Sequence, residues 1–175
     1  MINKKINKNL NKIKFDSNCG CKVPEEVLSN AKLFAVWLQS ITIQISNMKL
    51  TENFSKKEFD CKCGCDMPDD VMRNTKTLAV QLQLIRDYFN EPIKINSAYR
   101  CPDHNKAIGG VYNSQHVLGK ASDIRITGTS SSRVADGIED MVSNGCINIG
   151  GLGRYDTFTH IDIRDNKARW NKTSK

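Results

Sequence analysis

The sequence is poor in residues on which several protein classes depend. Aromatic residues make up only 7% of its 175 positions, so stacking platforms for single-stranded nucleic acid are scarce. No run approaches the roughly 18 consecutive apolar residues of a membrane helix. These shortages argue against a membrane-spanning protein and against a specific nucleic-acid-binding protein.

The basic start of the chain lacks the features of an export signal. Residues 1–14 read MINKKINKNLNKIK, with five lysines and no acid, and neither an apolar core nor a small-residue cleavage site follows directly. If the protein works outside a cell, something else must release it. The net charge of +7 fits a polyanionic neighbour, such as nucleic acid, an anionic membrane surface or a cell-wall polymer, as well as it fits a lysine-rich solubilising surface.

A duplicated segment occupies the front of the chain. Residues 14–39 and 58–83 are identical at 13 of 26 positions, at a constant offset of 44 and without a gap. In each copy a proline precedes apolar residues at helical spacing, which predicts an amphipathic helix. Only the second copy leads into motif-bearing sequence, so we predict a basic extension with a partial repeat over 1–47 and a main domain over 48–175. The predicted apolar stripes are Val27, Ala31, Phe34, Leu38, Ile41 and Ile45 in the first copy and Val71, Thr75, Leu78, Leu82, Ile85 and Phe89 in the second.

Downstream of the repeat, the pattern predicts short strands and one helix. The predicted strands are 93–97, 121–126, 149–155 and 159–164; a long loop covers 101–120, a helix covers 130–143, and a polar tail ends the chain. Strands close in sequence, with one crossing helix, indicate an α+β domain built on a small antiparallel sheet with flanking helices.

The three histidines of the chain are the first candidates for chemistry. His104 lies in a turn and is expected to be structural. The motif SQHVLGKASDIRI places His116 seven positions before Asp123, and THIDIR puts His160 and Asp162 on one face of a strand. If the two strands are neighbours, both histidines and Asp123 meet in one cleft as a zinc site with an open position for water. By spacing alone, a loop histidine and a half-buried strand histidine are equally good interpretations.

Three stretches together resemble a known family: SAYRCPDHN, SQHVLGKASDI and GGLGRYDTFTHIDIR. They are similar to the zinc D-alanyl-D-alanine carboxypeptidase family (peptidase M15), in particular to its peptidoglycan-hydrolase members. The resemblance covers about residues 48–171 and implies the fold shared with the hedgehog signalling domain. It also implies that Zn²⁺ is held by His116, Asp123 and His160. The positions matching the family signature are Ser114, His116, Gly119, Ala121, Asp123, His160, Ile161 and Asp162.

The resemblance implies an activity and roles for further residues. The family hydrolyses an amide bond in peptidoglycan stem peptides or cross-links, with zinc polarising the carbonyl and an acidic residue moving the proton. Arg100 in SAYR corresponds to an arginine that steadies the substrate, although a surface salt bridge is the alternative for it. Ser97, Ser114 and Gln115 would line the site.

The catalytic acid does not match cleanly. Many relatives place a Glu or Asp three residues before the last zinc histidine, where this chain has Thr157. Asp156 is the nearest acid, and a bend in RYDTFT would have to turn it into the site. Asp162 is the second candidate, either as the base or as a hydrogen-bond partner of a zinc-bound histidine.

The cysteines have open assignments. Cys61, Cys63 and Cys65, together with Cys101, could bind a structural metal, form disulfides or remain reduced thiols; their spacing is tighter than that of usual zinc fingers. The first copy of the repeat keeps two of these cysteines but has Ser17 where Cys61 aligns.

Two functions from different classes follow. The first is a peptidoglycan peptidase of a phage or prophage lysis system, cytoplasmic until released, or a virion-associated enzyme; its basic surface would meet anionic wall polymers. The second is a non-catalytic, zinc-containing module of the same fold that binds the cell wall or a protein. The unmatched acid keeps the second interpretation open.

Overall fold

The computed structural model describes residues 25–46 and 48–174. The chain separates into two compact units, Met1–Gln44 and Ile45–Lys175. The domain boundary near residue 48 stays a prediction. The cysteine motif of the first repeat copy, Cys19 and Cys21, lies outside the described residues.

Ten elements follow one another along the described residues. The helices are α1 (Glu25–Ser46), α2 (Lys56–Phe59), α3 (Asp69–Phe89), α4 (Pro102–Ala107) and α5 (Ser131–Ser143), and the strands are β1 (Ile93–Ser97), β2 (Ala121–Ile126), β3 (Gly151–Tyr155), β4 (Thr159–Asp162) and β5 (Ala168–Lys172). Two of them correct the sequence prediction, because α4 lies in the predicted loop and β5 lies in the predicted polar tail. In the part of the chain that the structure describes, no helix is long and apolar enough to cross a membrane.

The five strands form one mixed sheet in the order β1-β2-β4-β3-β5. Strands β1 to β4 pair antiparallel, as expected, whereas β5 pairs parallel to β3. The α+β class is confirmed, and the sheet is mixed rather than purely antiparallel. Strand β5 has only a short alternation, Ala168 and Trp170 against Arg169 and Asn171. Its Trp170 lies opposite Gly153, and a Cβ at Gly153 would fall 2.4 Å from the indole ring.

Helix α3 contributes a buried face to the hydrophobic core. Asp69 and Asp70 begin it, where carboxylates favour the helix N-terminus, and Asn90 ends it in the left-handed conformation. Its buried residues are Val71, Thr75, Leu78, Ala79, Leu82 and Ile85. The predicted stripe of the second copy is therefore confirmed, and each buried Leu or Ile contributes about 1.5–3 kcal/mol.

Helix α1 confirms that the first copy also forms a helix. The described members of its predicted stripe are exposed, with 58% of Phe34 and 45% of Leu38 accessible. The shared sequence therefore forms a helix in both copies, whereas α3 is the helix in which the apolar stripe is seen to be buried.

Candidate metal centre

The pairing of β2 with β4 brings two of the predicted ligands together. Asp123 lies opposite His160 in the antiparallel register, and Asp123 Oδ1 lies 2.8 Å from His160 Nδ1. The loop before β2 adds His116, whose Nε2 lies 3.3 Å from the same oxygen. All three side chains are buried. One ligand atom from each residue lies within 4.8 Å of the other two.

The second nitrogen of each histidine has its own acceptor. His116 Nδ1 lies 2.7 Å from the carbonyl oxygen of Ala98, and His160 Nε2 lies 3.2 Å from Asp162 Oδ2. When these two nitrogens carry the ring protons, His116 Nε2 and His160 Nδ1 are left with lone pairs that a metal ion can use. Such outer hydrogen bonds fix the orientation of metal-binding histidines. Two imidazole nitrogens and one carboxylate oxygen fit zinc with three protein ligands.

The loop that carries His116 depends on a glycine. Gly119 has φ +65°, and its N–H donates to the carbonyl of His116 at 3.1 Å. A Cβ at this position would lie 2.6 Å from Val71 Cγ1 and 2.8 Å from the Val71 carbonyl oxygen. Thr75 of α3 also donates to the Gly119 carbonyl at 3.4 Å. The glycine thus lets the loop lie against α3 with His116 facing β2.

Burial and pairing shift the pKa values of the charged residues at the centre in opposite directions. Burial would raise the pKa of Asp123, but hydrogen bonds to His116 and His160 outweigh it and hold the pKa below its usual range. Burial likewise opposes the low pKa of Asp162, which hydrogen bonds to His160 and Arg164 produce. For His160, burial lowers the pKa, and the two aspartates raise it above its usual value. Both aspartates are therefore anions beside a histidine that binds protons readily when no cation is bound.

Arg100 lies at the centre, where the resemblance expects it. Its Nη2 donates to Asp123 Oδ2 at 2.6 Å, and its Nε donates to Ser97 Oγ at 2.8 Å. The backbone N–H of Arg100 also donates to the His116 carbonyl at 3.2 Å. Ser97, predicted to line the site, accepts the hydrogen bond from Arg100 Nε and is not among the residues that line the pocket.

The centre opens into a pocket of about 400 Å³. Ser114 and Gln115 line it, as predicted. Gln115 Oε1 is buried and finds no hydrogen-bond donor in the described part of the chain. Further lining residues that the sequence prediction missed are Asn113, Tyr155, Phe158, Arg164 and Trp170.

Some of the missed residues carried a sequence signal. Arg164 continues the alternation of His160 and Asp162, which predicts a common face. Trp170 and Tyr155 carried none, because their position depends on β5 lying beside β3. Trp170 lies 5.1 Å from the His160 ring, centroid to centroid, and its Nε1 donates to the Tyr155 hydroxyl at 3.1 Å.

The two acids considered as bases occupy different environments. Asp162 is fully buried and accepts from Arg164 Nε at 2.7 Å and from Arg164 Nη2 at 2.6 Å. Asp156 accepts from the Ser174 backbone N–H at 2.9 Å and from its hydroxyl at 2.7 Å. It lines a second depression, which also contains Thr157. The structure therefore does not bring the Asp156 carboxylate to the metal centre, and Asp162 reaches it only through His160.

A comparison with protein families gives a match. A family model described as Peptidase M15 matches residues 48–162. The matched span contains strands β1 to β4, all three candidate ligands and Arg100. No curated protein matches the chain.

Proposed function

We propose, from the premise that this chain belongs to the peptidase M15 family, that it uses Zn²⁺ to hydrolyse an amide bond in peptidoglycan stem peptides or cross-links. Members of the family are metallopeptidases, and the described residues include a group able to hold a metal ion. The observation that carries the proposal is the convergence of His116, Asp123 and His160 at one end of a pocket.

The chain's own residues prepare the metal centre. When bound there, zinc polarises the scissile carbonyl as a Lewis acid. The Ala98 carbonyl and Asp162 hold the rings of His116 and His160, so that His116 Nε2 and His160 Nδ1 face Asp123. These outer hydrogen bonds fix the orientation of both rings for a cation.

Two polar groups can orient a peptide in the pocket. Arg100 offers a fixed fork of donors to a carbonyl or carboxylate oxygen. Since Trp170 donates to the oxygen of Tyr155, the Tyr155 O–H proton is free to be donated to the substrate. The stacked rings of Tyr155 and Phe158, 4.3 Å apart, add an apolar wall.

The charge of the pocket favours a substrate with carboxylates. Arg100 is paired with Asp123, and Arg164 is paired with Asp162, so a bound divalent cation leaves a net positive charge. Stem peptides of peptidoglycan carry free carboxylates next to D-amino acids. The overall charge of +7 supports attraction to anionic wall polymers. We extend the proposal to a phage or prophage lysis enzyme, or a virion-associated one, that acts on the cell wall.

A second candidate function rests on the shortage of carboxylates among the residues that line the pocket. Among the described residues that line the pocket, the only carboxylate is Asp123, and Asp123 is occupied by Arg100 and both histidines. This observation favours a zinc-containing module of the same fold that binds a wall peptide or another protein without cleaving it.

The test is digestion of purified peptidoglycan. We expect soluble peptides to appear with zinc, to disappear after chelation and to return when zinc is restored; mass spectrometry of the products names the bond. The absence of products from protein that holds zinc at His116, Asp123 and His160, shown by an equivalent that His116→Ala lacks, would overturn the peptidase proposal and favour the binding module.

A variant pair makes the test specific. His116→Ala should lose the zinc of this centre and at least about 100-fold in activity, since even the partners of metal-binding histidines contribute about 10–100-fold. His104→Ala is the control, because His104 is not among the residues lining the pocket, and it should keep both. Full activity of His116→Ala without metal would contradict the assigned site.

A further inference from the structure

A second group of metal-ligand atoms lies outside the pocket. Three cysteines follow α2 in the turn CKCGC. A fourth cysteine lies after β1, immediately before α4. Their sulfur atoms all lie within 4.8 Å of one another. The members of this cysteine cluster are Cys61, Cys63, Cys65 and Cys101.

The distances suit four sulfurs around one ion. Cys61 Sγ lies 3.3 Å from Cys63 Sγ, and Cys63 Sγ lies 3.6 Å from Cys101 Sγ. Tetrahedral zinc with Zn–S bonds of about 2.3 Å separates its sulfurs by roughly 3.8 Å. All four are free thiols in the structure. Two disulfides would divide the four sulfurs into two bonded pairs. Here each sulfur lies within 4.8 Å of the other three.

The backbone directs N–H donors at two sulfurs of the cluster. The donor at Cys61 opposes the burial that raises the pKa of that thiol; burial also raises the pKa of Cys65. The Cys101 N–H points at Cys61 Sγ, 3.3 Å away, and the His104 N–H points at Cys101 Sγ, also 3.3 Å away. The turn itself closes through Gly64, whose φ of +83° and N–H bond to the Cys61 carbonyl reverse the chain between the cysteines. N–H groups directed at sulfur stabilise negative charge there, which is the state that a metal requires.

We infer that Cys61, Cys63, Cys65 and Cys101 bind a structural zinc ion. Four thiolate ligands leave no open position, so this second ion takes no part in hydrolysis. The closed site joins the CKCGC turn to the segment that leaves β1, where the Tyr99 N–H also donates to the Phe59 carbonyl at 3.1 Å.

The consequence for the pocket is the placement of Arg100. Arg100 directly precedes Cys101, and its guanidinium contacts Asp123. Fixing Cys101 therefore fixes the backbone from which Arg100 reaches the metal centre. The cysteine cluster acts as a positioning element for a residue of the pocket, and its own ion lies outside the reaction.

The first copy of the repeat does not reproduce this ligand set. Ser17 stands where Cys61 aligns, and that copy ends before any counterpart of Cys101. Only Cys19 and Cys21 remain, and they lie outside the described residues. The inference therefore predicts one tetrathiolate ion per chain.

The experiment counts metal in the reduced full-length chain. Purified protein should hold two equivalents of zinc, and Cys63→Ser and His116→Ala should each hold one. Cys63 is exposed, so its replacement by serine is the least disruptive change within the cluster. Two variants should keep both equivalents: Cys146→Ser, which changes an exposed cysteine outside the cluster, and the double variant Cys19→Ser/Cys21→Ser.

Cobalt substitution keeps the test independent of zinc counts and of the peptidase site. Cobalt bound by His116→Ala should show the thiolate-to-cobalt charge-transfer band and the strong visible bands of a tetrahedral thiolate site. Cys63→Ser should show a weaker charge-transfer band than a site with four thiolates. One equivalent in the wild type with none in His116→Ala would overturn the inference. The inference would also be overturned if the wild type showed no thiolate-to-cobalt band and fewer than seven titratable thiols. The thiols are counted after anaerobic denaturation without a reducing agent. If His116→Ala and the wild type hold the same single ion with a thiolate band, the cysteine site stands and the peptidase site fails.

Discussion

Asp123 faces His160 across the β2–β4 pairing and places one carboxylate oxygen 2.8 Å from His160 Nδ1 and 3.3 Å from His116 Nε2. Its other oxygen accepts from Arg100 at 2.6 Å. One side chain thus joins the candidate ligands to the cation that borders the pocket. Each residue around it has a distinct expected contribution, which substitutions can separate.

Asp162→Asn should weaken zinc binding by about 10–100-fold, because Asp162 holds the His160 ring through Nε2. Asp156→Asn is the matched control, since its carboxylate bonds to Ser174, and it should leave zinc affinity and peptide release unchanged. Zinc affinity by chelator competition and product release check both variants. Loss of activity in Asp156→Asn with zinc retained would assign the base to Asp156, as the sequence interpretation favoured.

Arg100→Lys should keep zinc but lower kcat/KM by roughly 10–150-fold, which corresponds to the about 1.5–3 kcal/mol of a hydrogen bond to a charged group. Lysine keeps the charge and loses the fork that reaches both Ser97 and Asp123. Arg125→Lys is the control, because Arg125 donates to the Thr157 carbonyl instead. An unchanged kcat/KM in Arg100→Lys would remove Arg100 from the site.

Zinc affinity should fall on acidification at a pH above the ordinary histidine range. Burial lowers the pKa of His160, but Asp123 and Asp162 raise it above 6.5. In the metal-free protein the protonated ring therefore contributes stability that is fully present below pH 6.5 and is lost as the pH rises through the raised pKa. Because zinc requires the unprotonated ring, the proton competes over that same window.

The check is zinc affinity measured from about pH 5 to 8, with Asp162→Asn for comparison. Removing one of the two aspartates that raise the pKa of His160 should move the midpoint of the affinity change to lower pH. A wild-type midpoint below 6.5 would contradict the prediction.

Gly119→Ala should destabilise the fold by more than Gly109→Ala. Both glycines have positive φ, +65° and +73°, so alanine costs roughly 1–3 kcal/mol at either position. At Gly119 the added Cβ also meets Val71 Cγ1 at 2.6 Å, whereas nothing lies within 4 Å at Gly109. Denaturant unfolding measures the difference, and zinc affinity should fall only in Gly119→Ala, because that turn carries His116. Equal losses at both positions would show that the contact with α3 does not matter.

Local sequence patterns were sufficient to predict several features of the structure. The spacing of Val71, Leu78 and Leu82 predicts α3 because the helix period places such residues on one face whatever surrounds them. The period of two in THIDIR does the same for the shared face of His160 and Asp162. The motif in which His116 precedes Asp123 names the ligand candidates, since donor chemistry is a property of the residues themselves.

Other features depend on which distant segments become neighbours. The alternation in strand β5 is short, and Trp170 enters the pocket only because β5 pairs with β3 opposite Gly153. The direction of the Asp156 side chain depends on how the β3–β4 turn bends, which a one-residue shift reverses. Cys101 joins the three cysteines of the CKCGC turn from far along the chain. Composition and spacing therefore determine which residues can hold a metal, and the tertiary structure alone decides which of them share a site, because contacts across such separations follow from strand register and packing.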